Sequence, residues 1–234
     1  MARYIGLGVM RNPWKDIPLV DYEGHMAQVA QAQLLTDVLA EVLREYSPRS
    51  IAVVGCAGGN GFQKIDPQIT PRVVGIDINP DYIAQTRIRF DGRIPTLELC
   101  VGDIQTDKEV FSPVDVVFAA LVFEYVDVAA ALKTIRSMLN PGGILVSLVQ
   151  LPSAEAGTVT PSRFSSVQAL AKCMRLVSPQ VLKELAESRG FESTRSRVID
   201  SLRGKQFHIQ SFRAVTPNPA LNADLPQAGL RLAG

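Results

Sequence analysis

Apolar residues occur along the chain in two patterns: short β-branched runs, and longer segments in which they recur every three or four positions. The short runs are typical of strands buried in a parallel sheet, and they lie at 51–54, 72–79, 95–101, 114–119 and 143–150. The helical period appears at 26–46, after Asn79-Pro80, at 127–139 and after Ser178-Pro179. Strands that alternate with helices predict an α/β fold around a parallel sheet.

The C-terminal part of the chain breaks this alternation. Two extended segments, 191–202 and 205–215, follow one another with only Arg203 and Gly204 between them. So short a connection suits an antiparallel hairpin, because parallel strands need a long crossover. The chain is therefore predicted to form a seven-stranded sheet that is mostly parallel and ends in an antiparallel hairpin.

Domain organisation follows from length and local composition. At 234 residues the chain is long enough for one α/β domain with additions, which we place at 1–215, with an N-terminal lid and helix at 1–46. Residues 152–177 begin with a stretch rich in Ser, Thr and Pro that lacks a regular period. We interpret them as a substrate cap, with a disordered crossover as the alternative. Residues 216–234 contain three prolines, which predicts a flexible tail.

Charge and cysteine content argue against several classes of partner. Lys and Arg number 24 against 23 acidic residues, so a net charge of +1 gives no electrostatic reason to expect nucleic acid or an anionic membrane. No apolar run reaches the ~20 residues of a membrane-spanning helix, and the N-terminus lacks a signal peptide. Three scattered cysteines predict reduced thiols in the cytoplasm and no metal site. The sequence does not specify an oligomeric state.

A glycine-rich loop follows the first apolar run. The run ends at Gly55, and Gly58, Gly59 and Gly61 come soon after it. Glycine allows positive φ and lets a ligand lie against the main chain without meeting a Cβ atom. Because ligands of open α/β sheets bind outside the carboxyl ends of the strands, this loop is the predicted floor of a binding site.

Two acidic residues end the next two strand patterns. Asp77 follows Gly55 by 22 residues, close to the separation at which an acid binds the ribose hydroxyls of a nucleotide. A carboxylate suits that role because it accepts from two vicinal hydroxyls at once. Asp103 ends the third strand after Gly102 and would accept a hydrogen bond from an exocyclic amine such as that of adenine.

The order of these motifs resembles one enzyme family. A glycine loop, Asp77, Gly102-Asp103 and then Asn140-Pro141-Gly142-Gly143 look like the class I S-adenosylmethionine-dependent methyltransferases, and more narrowly their small-molecule, type 11 branch. The resemblance covers roughly residues 20–213 and implies a Rossmann-like doubly wound sheet. The family's loop reads acid-x-Gly-x-Gly-x-Gly, whereas Val53 and Ala57 stand here at the acid and at the second glycine.

The resemblance also implies a cofactor and its contacts. The cofactor would be S-adenosylmethionine, with S-adenosylhomocysteine as product. Asp77 would hold the ribose and Asp103 the adenine amine, while the other implied contacts lie in the loop, beside the adenine and at the fourth strand end. These other residues are Gly55, Cys56, Ala57, Gly58, Ile78, Ile104 and Ala120.

Substrate contacts are predicted in three places. Tyr22 to Met26 resemble the opening of many type 11 enzymes, so Tyr22 and His25 either contact substrate as part of a lid or pack the helix start. His25 is a candidate general base. Glu124-Tyr125 stands where many relatives have Glu-His, so Tyr125 either assists catalysis or packs beneath the next helix. In the cap, Arg163, Phe164 and Met174 are the candidate contacts with a small-molecule acceptor.

Two other functions stay open on the sequence. An NAD(P)-dependent oxidoreductase should show Gly-x-Gly-x-x-Gly, but Ala57 and Asn60 occupy the second and third glycine positions counted from Gly55. A methyltransferase-like module that binds without turnover is the other alternative, because fold does not imply function.

Overall fold

The structure is a computed structural model in which residues 12–107, 111–153 and 157–215 are described. Seven strands form one sheet: β1 (Ser50–Val54), β2 (Arg72–Asp77), β3 (Thr96–Val101), β4 (Val114–Ala120), β5 (Leu139–Gln150), β6 (Phe191–Asp200) and β7 (Gln206–Ala214). The α-helices are α1 (Leu19–Gln28), α2 (Gln31–Tyr46), α3 (Pro80–Phe90), α4 (Val128–Met138) and α5 (Pro179–Ser188). Short 3-10 helices lie at Pro13–Lys15, Phe62–Lys64, Phe123–Tyr125 and Ser165–Lys172.

The sheet has the predicted mixed topology. Its strand order is β3-β2-β1-β4-β5-β7-β6, in which β1 to β5 are parallel and β7 runs antiparallel to both β5 and β6. Val54 pairs with Ile76 on one side and with Ala119 on the other, so the first, second and fourth strands end at the same edge. This confirms the Rossmann-like, doubly wound sheet with its C-terminal antiparallel hairpin.

Helices cover both faces of the sheet. In β1, Ile51 and Val53 pack with α2 and α3, while Ala52 and Val54 pack with α4 and α5 on the opposite face. Successive side chains of a strand point to opposite faces, which is why a strand buried on both sides reads as a continuous apolar run. The two cores hold the strand ends in place and leave their carboxyl tips free for a site.

The predicted helix 26–46 is wrong in its extent. The structure has two helices here, and they meet at Ala30, whose φ is +58°. Val29 is 2% exposed, so the apolar stripe continues through the break and the periodicity does not reveal it. The first of these helices begins at Leu19, within the predicted lid and helix region 1–46.

The Asn140–Gly143 segment forms a bulge near the start of β5. Leu139 already pairs with Val114, and Ile144 pairs with Val116, so the four intervening residues bulge opposite a single residue, Asp115. Asn140 Nδ2 donates to Asp115 Oδ1 at 2.9 Å, which stabilises the bulge.

Parts of the predicted lid, cap and tail lie outside the described residues, namely 1–11, 154–156 and 216–234. The division of the chain into these units stays a prediction. Within the described ranges, no helix has both the length and the apolar character needed to cross a membrane. The same ranges hold no cluster of three or more His, Cys, Asp or Glu side chains suited to a metal ion.

Candidate active site

One cavity lies over the carboxyl tips of β1, β2, β3 and β4. We call it the strand-tip cavity; its volume is about 670 Å³ with its open mouth included. Seven of the nine predicted cofactor contacts line it, from all four strand ends: Gly55, Ala57, Asp77, Ile78, Asp103, Ile104 and Ala120.

The other two predicted contacts, Cys56 and Gly58, do not line this cavity. Cys56 is 2% exposed and its Sγ lies beside Gly75 in the core, where burial raises the pKa of the thiol. A Cβ atom on Gly58 would meet Arg89 at 2.4 Å and Glu23 at 2.6 Å, so side chains already cover that glycine. Both residues shape the loop from behind.

Main-chain hydrogen bonds fix the glycine loop to β2. The N–H groups of Gly55 and Cys56 both donate to Ile76 O, at 2.8 and 3.1 Å. Ala57, with φ +48°, donates its N–H to Asp77 Oδ2 at 2.9 Å. Alanine is strained in this left-handed conformation, and the acid of the neighbouring strand helps to hold it there.

Asp77 is the buried charge of the strand-tip cavity. It is 8% exposed, and its Oδ1 accepts from Asn79 N at 2.9 Å while its Oδ2 accepts from Ala57 N. Burial raises the pKa of this carboxyl to about 6, although the main-chain donors act in the opposite direction. A carboxylate has about four acceptor sites, so the group retains capacity for ligand hydroxyls.

Asp103 lies across the cavity and has a side-chain partner. Its Oδ1 accepts from Gln105 N and its Oδ2 from Gln105 Nε2, both at 3.1 Å. Gln105 lines the same cavity and was not predicted. Gln105 Oε1 accepts from Asp127 N at 2.9 Å, so the Asp103 carboxylate is the acceptor suited to an amine.

Aromatic side chains close the strand-tip cavity. The Trp14 ring lies edge-on to Tyr22, with centroids 5.6 Å apart, and to Tyr125, with centroids 5.0 Å apart. Tyr22 in turn stacks on Tyr82 at 5.9 Å. Asn79 caps α3 through Oδ1, as predicted, but its Nδ2 also donates to Trp14 O at 2.9 Å and so ties this wall to the tip of β2.

Tyr82 supplies a test of whether a polar ligand fits. Its hydroxyl is buried and has no hydrogen-bond partner among the described residues, although the residue lines the strand-tip cavity. Buried polar atoms are normally satisfied. The orphaned hydroxyl, the buried Asp77 carboxylate and a floor of main-chain atoms together fit a nucleoside.

A second cavity lies on the other side of the aromatic wall. We call it the cap cavity; its volume is about 470 Å³ with its mouth included, and it shares Trp14, Tyr22, Leu121 and Tyr125 with the strand-tip cavity. The rest of its lining comes from α1, α2, β5, the cap and the start of β7. These residues are His25, Met26, Gln31, Gln150, Thr158, Val159, Thr160, Val167, Leu170, Met174 and Lys205.

His25 therefore lines the cap cavity and not the strand-tip cavity. Its Nδ1 lies 2.8 Å from Ser162 Oγ, which fixes the ring against the cap. Burial and the nearby positive charge of Lys205 lower the imidazole pKa. The ring is accordingly neutral at pH 7 and able to take up a proton.

Three predicted substrate residues line neither cavity. Glu124 is 1% exposed, its Oε1 accepts from Gln150 N at 2.7 Å, and burial raises the pKa of its carboxyl to about 7. Arg163 is exposed, with its guanidinium 4.9 Å above the ring of Phe164. A Cβ atom on Gly24 would meet the Phe164 ring at 2.2 Å, so that ring packs the cap against α1.

Lys205 lines the cap cavity, a position that sequence analysis does not predict. It follows a hairpin turn, where a solvated charge is expected, yet it is 2% exposed. Its Nζ donates to Gln150 Oε1 at 3.0 Å and to Thr158 O at 2.7 Å. No local pattern distinguishes this lysine from a surface lysine.

An ion pair fastens α1 to the glycine loop. The guanidinium of Arg89 pairs with both carboxylate oxygens of Glu23, with Nη2 at 3.0 Å from Oε2, and its Nη1 also donates to Gly58 O at 3.0 Å. Since α1 carries Tyr22 and His25, this contact sets the position of the helix over both cavities.

Comparisons with known proteins agree with this architecture. Residues 53–145 match the family model described as a methyltransferase domain, a span that runs from β1 to β5 and contains all four strand tips. A search of curated protein sequences finds no match.

Solved structures share the fold at low sequence identity. The N-methyltransferase NodS from Bradyrhizobium japonicum WM9, in complex with S-adenosyl-L-homocysteine, is 18% identical with a TM-score of 0.55, over 90% of this chain and 94% of that one. Geranyl diphosphate C-methyltransferase from Streptomyces coelicolor A3(2) is 15% identical with a TM-score of 0.61, over 80% and 83%. The [4+2]-cyclase SpnF is 14% identical with a TM-score of 0.59, over 78% and 81%.

The sheet separates this chain from the nucleotide-binding dehydrogenases. Their doubly wound sheet runs 3-2-1-4-5-6, whereas here an antiparallel β7 lies between β5 and β6. Residues 53–145 thus match a methyltransferase domain, and the terminal hairpin agrees with the fold shared with the solved methyltransferase structures.

Proposed function

We propose that the protein transfers the methyl group of S-adenosylmethionine to a small organic acceptor bound in the cap cavity. The observation that carries the proposal is the shared wall: a cavity suited to a nucleoside and a largely apolar cavity meet at Trp14, Tyr22, Leu121 and Tyr125. Transfer between two bound molecules needs such adjacency, because alignment of the reactants supplies much of the rate enhancement.

Different residues of the strand-tip cavity suit the ribose, the adenine and the methionine end of the cofactor. Asp77 would accept the ribose hydroxyls, and Asp103 would accept the adenine amine between Ile78 and Ile104. The main chain at Gly55 and Ala57 would meet the methionine end, near Ala120. When bound, S-adenosylmethionine supplies a methyl group already activated by its sulfonium sulfur.

The chain's own task is then alignment and proton removal. The bound cofactor would supply an electrophilic methyl group with sulfur as its leaving group, and the residues of the shared wall would hold the acceptor atom in line with it. His25 is the proposed base for an acceptor that must lose a proton: in the tautomer whose Nδ1–H donates to Ser162 Oγ, Nε2 is unprotonated and takes it. Tyr125 would stay protonated, because burial raises the pKa of its hydroxyl, and would position the acceptor through its ring.

Substrate class and location rest on composition and cavity shape. The cap cavity is enclosed by Met26, Leu170, Met174 and the aromatic wall, which suits a compact acceptor more than a polymer. A net charge of +1 gives no reason to expect nucleic acid. The cysteines are free thiols in the structure, which supports a reducing, cytoplasmic setting.

A related fold with other chemistry is the second candidate. SpnF shares this architecture and is described as a cyclase, and the glycine loop here departs from the family pattern with Ala57 at φ +48°. A protein of this kind would bind the cofactor without methyl turnover.

Calorimetric titration with S-adenosylhomocysteine, compared with NAD, tests the cofactor assignment. We expect binding of the former alone, and a loss of roughly 1–3 kcal/mol in the Asp77→Ala variant, the scale of losing hydrogen bonds to a charged group. Asp91→Ala is the matched control, because Asp91 is exposed at the end of α3 and lines neither cavity. Unchanged affinity in Asp77→Ala, in a variant with native circular dichroism, contradicts the ribose contact.

Methyl transfer itself is tested with tritiated methyl groups. The protein and labelled S-adenosylmethionine are incubated with a cell extract from which macromolecules have been removed by ultrafiltration. We expect label in small organic products, and less of it with His25→Asn if that imidazole is the base. Cofactor binding without labelled product would favour the second candidate.

A further inference from the structure

The cap cavity contains a buried ammonium group that has no negative partner among the described residues. Lys205 is 2% exposed, and its two hydrogen bonds go to neutral oxygens, Gln150 Oε1 and Thr158 O. No ion pair in the described part of the chain includes it. An ammonium has three donors, so one N–H is left without an acceptor on those residues, in a side chain that lines the cavity.

The titratable groups around Lys205 do not neutralise it. His25, on α1, senses the lysine charge, and its imidazole pKa is lowered in part by it. Glu124 lies behind Gln150 and is bound to the main-chain N–H of that residue, not to the ammonium. Since unpaired buried charges are costly, the cavity favours a ligand that brings a negative charge to Lys205.

The rest of the cavity indicates what body that charge would carry. Trp14, Tyr22 and Tyr125 form one wall, and Met26, Val167, Leu170 and Met174 form much of the remainder. Two polar atoms of the lining, Gln150 Oε1 and Thr158 O, contact Lys205. This arrangement suits a flat or apolar molecule with a single anionic end. No arginine lines the described cavity, and phosphate groups commonly recruit arginines or several donors, so a carboxylate suits the site better.

We propose, building on the methyltransferase function above, that the acceptor is an organic carboxylic acid whose carboxylate pairs with Lys205 Nζ. Its apolar or aromatic body lies against the wall shared with the strand-tip cavity. Lys205 is thus a specificity-determining residue that turns the nucleophilic atom toward Tyr22 and Tyr125.

A purely structural role for Lys205 makes a different prediction. Through Thr158 O and Gln150 the lysine joins the cap to β5, and a lysine that did only this would not discriminate between ligands by charge. The test therefore compares the affinities of acids with those of their neutral amides. Loss of the contact between the cap and β5 would not by itself produce a difference between the two.

Three matched pairs serve as probes: benzoate and benzamide, 2-naphthoate and 2-naphthamide, and indole-3-acetate and indole-3-acetamide. Calorimetry at pH 7 measures each with saturating S-adenosylhomocysteine and without it. We expect at least one acid to bind about tenfold more tightly than its amide, the scale of a charge-assisted hydrogen bond. In Lys205→Met this preference should disappear while S-adenosylhomocysteine affinity is retained. Lys172→Met, an exposed lysine of the cap, is the control and should keep the preference.

A second readout follows the lysine directly. In protein labelled with ¹³C-lysine, the Cε resonance that is lost in Lys205→Met reports the Lys205 pKa, which burial lowers to about 8 in the free protein. Adding the preferred acid should raise this pKa, because an anion favours the charged ammonium, whereas the amide should not.

The outcomes separate the two proposals. If no acid of the panel binds more tightly than its amide, or if Lys205→Met retains the preference, the carboxylate assignment is wrong even though S-adenosylhomocysteine still binds. If S-adenosylhomocysteine does not bind, the proposed methyl transfer is wrong. The affinities of the acids and amides measured in its absence still test whether Lys205 binds a carboxylate.

Discussion

The strand-tip cavity and the cap cavity share a wall but are built in opposite ways. Short contiguous stretches, each directly after a strand, form the floor of the strand-tip cavity, and much of that floor is main chain. Side chains from distant parts of the sequence form the cap cavity, from His25 to Lys205. Main-chain atoms can bind a cofactor that a whole family shares, whereas side chains must recognise the particular acceptor.

The buried charged groups of the two cavities also differ in how completely they are hydrogen-bonded. Asp77, beside the strand-tip cavity, accepts main-chain hydrogen bonds on both oxygens. Behind the cap cavity, Glu124 Oε2 is buried without a partner among the described residues, and Lys205 has one N–H to spare. Main-chain donors thus fix the Asp77 carboxylate on both oxygens before any ligand binds, whereas the charged groups beside the cap cavity are only partly hydrogen-bonded by the described residues. Each prediction below tests that difference.

The largest expected effect concerns Glu124. Its folded pKa of about 7 lies above its ordinary value of 4.5, so its stabilising contribution is complete below pH 4.5 and is lost as the pH rises through 7. Between pH 5 and pH 8 this loss is about 2–3 kcal/mol. Glu124→Gln, which has no charge to bury, should show a correspondingly smaller fall in the free energy of unfolding over that interval.

Urea denaturation at several pH values measures the effect in wild type and variant side by side. Asp77 and the lowered histidines contribute equally to both proteins and cancel in the difference. Glu192→Gln, at an exposed position on β6, should behave like wild type. If the free energy of unfolding falls equally with pH in wild type and Glu124→Gln, ionisation of Glu124 does not destabilise the folded protein.

The second prediction concerns Asp77 and cofactor affinity. Hydroxyl donors favour the ionised carboxylate, whereas burial favours its proton and sets its pKa near 6. S-adenosylhomocysteine affinity should therefore be nearly constant above pH 7 and should weaken by up to about tenfold per pH unit below pH 6. Calorimetry from pH 5 to pH 7.5 measures this, and Asp77→Asn should lose the dependence. A flat wild-type profile would mean that the carboxylate does not receive ligand protons.

Sequence patterns predicted the strand-tip cavity well because its determinants are local. The apolar run into Gly55, and the acid at the end of β2, follow from how a parallel strand ends, and the structure brings Gly55 and Asp77 together. The hairpin at Arg203-Gly204 was predictable for the same reason. In each case a few consecutive residues carry the whole signal.

The cap cavity was not predictable in the same way. Trp14 reaches the site because Asn79 holds its carbonyl across the chain, and Lys205 is buried because a distant cap segment covers it. The break at Ala30 escaped notice because Val29 continues the apolar stripe. These features depend on tertiary contacts, which the local sequence pattern does not reveal.

The smallest expected effect tests whether α1 belongs to both cavities. Glu23 and Arg89 are each 39% exposed, and ion pairs at such exposure contribute about 0–1 kcal/mol. Glu23→Gln should therefore weaken S-adenosylhomocysteine binding by no more than about fivefold, because α1, with Tyr22 and His25, becomes less firmly held over the glycine loop. Glu187→Gln removes a comparably exposed pair on α5, remote from both cavities, and should leave binding unchanged. Equal affinities for the two variants would show that α1 keeps its position without this ion pair, and that the packing of Phe164 against Gly24 is sufficient to hold it.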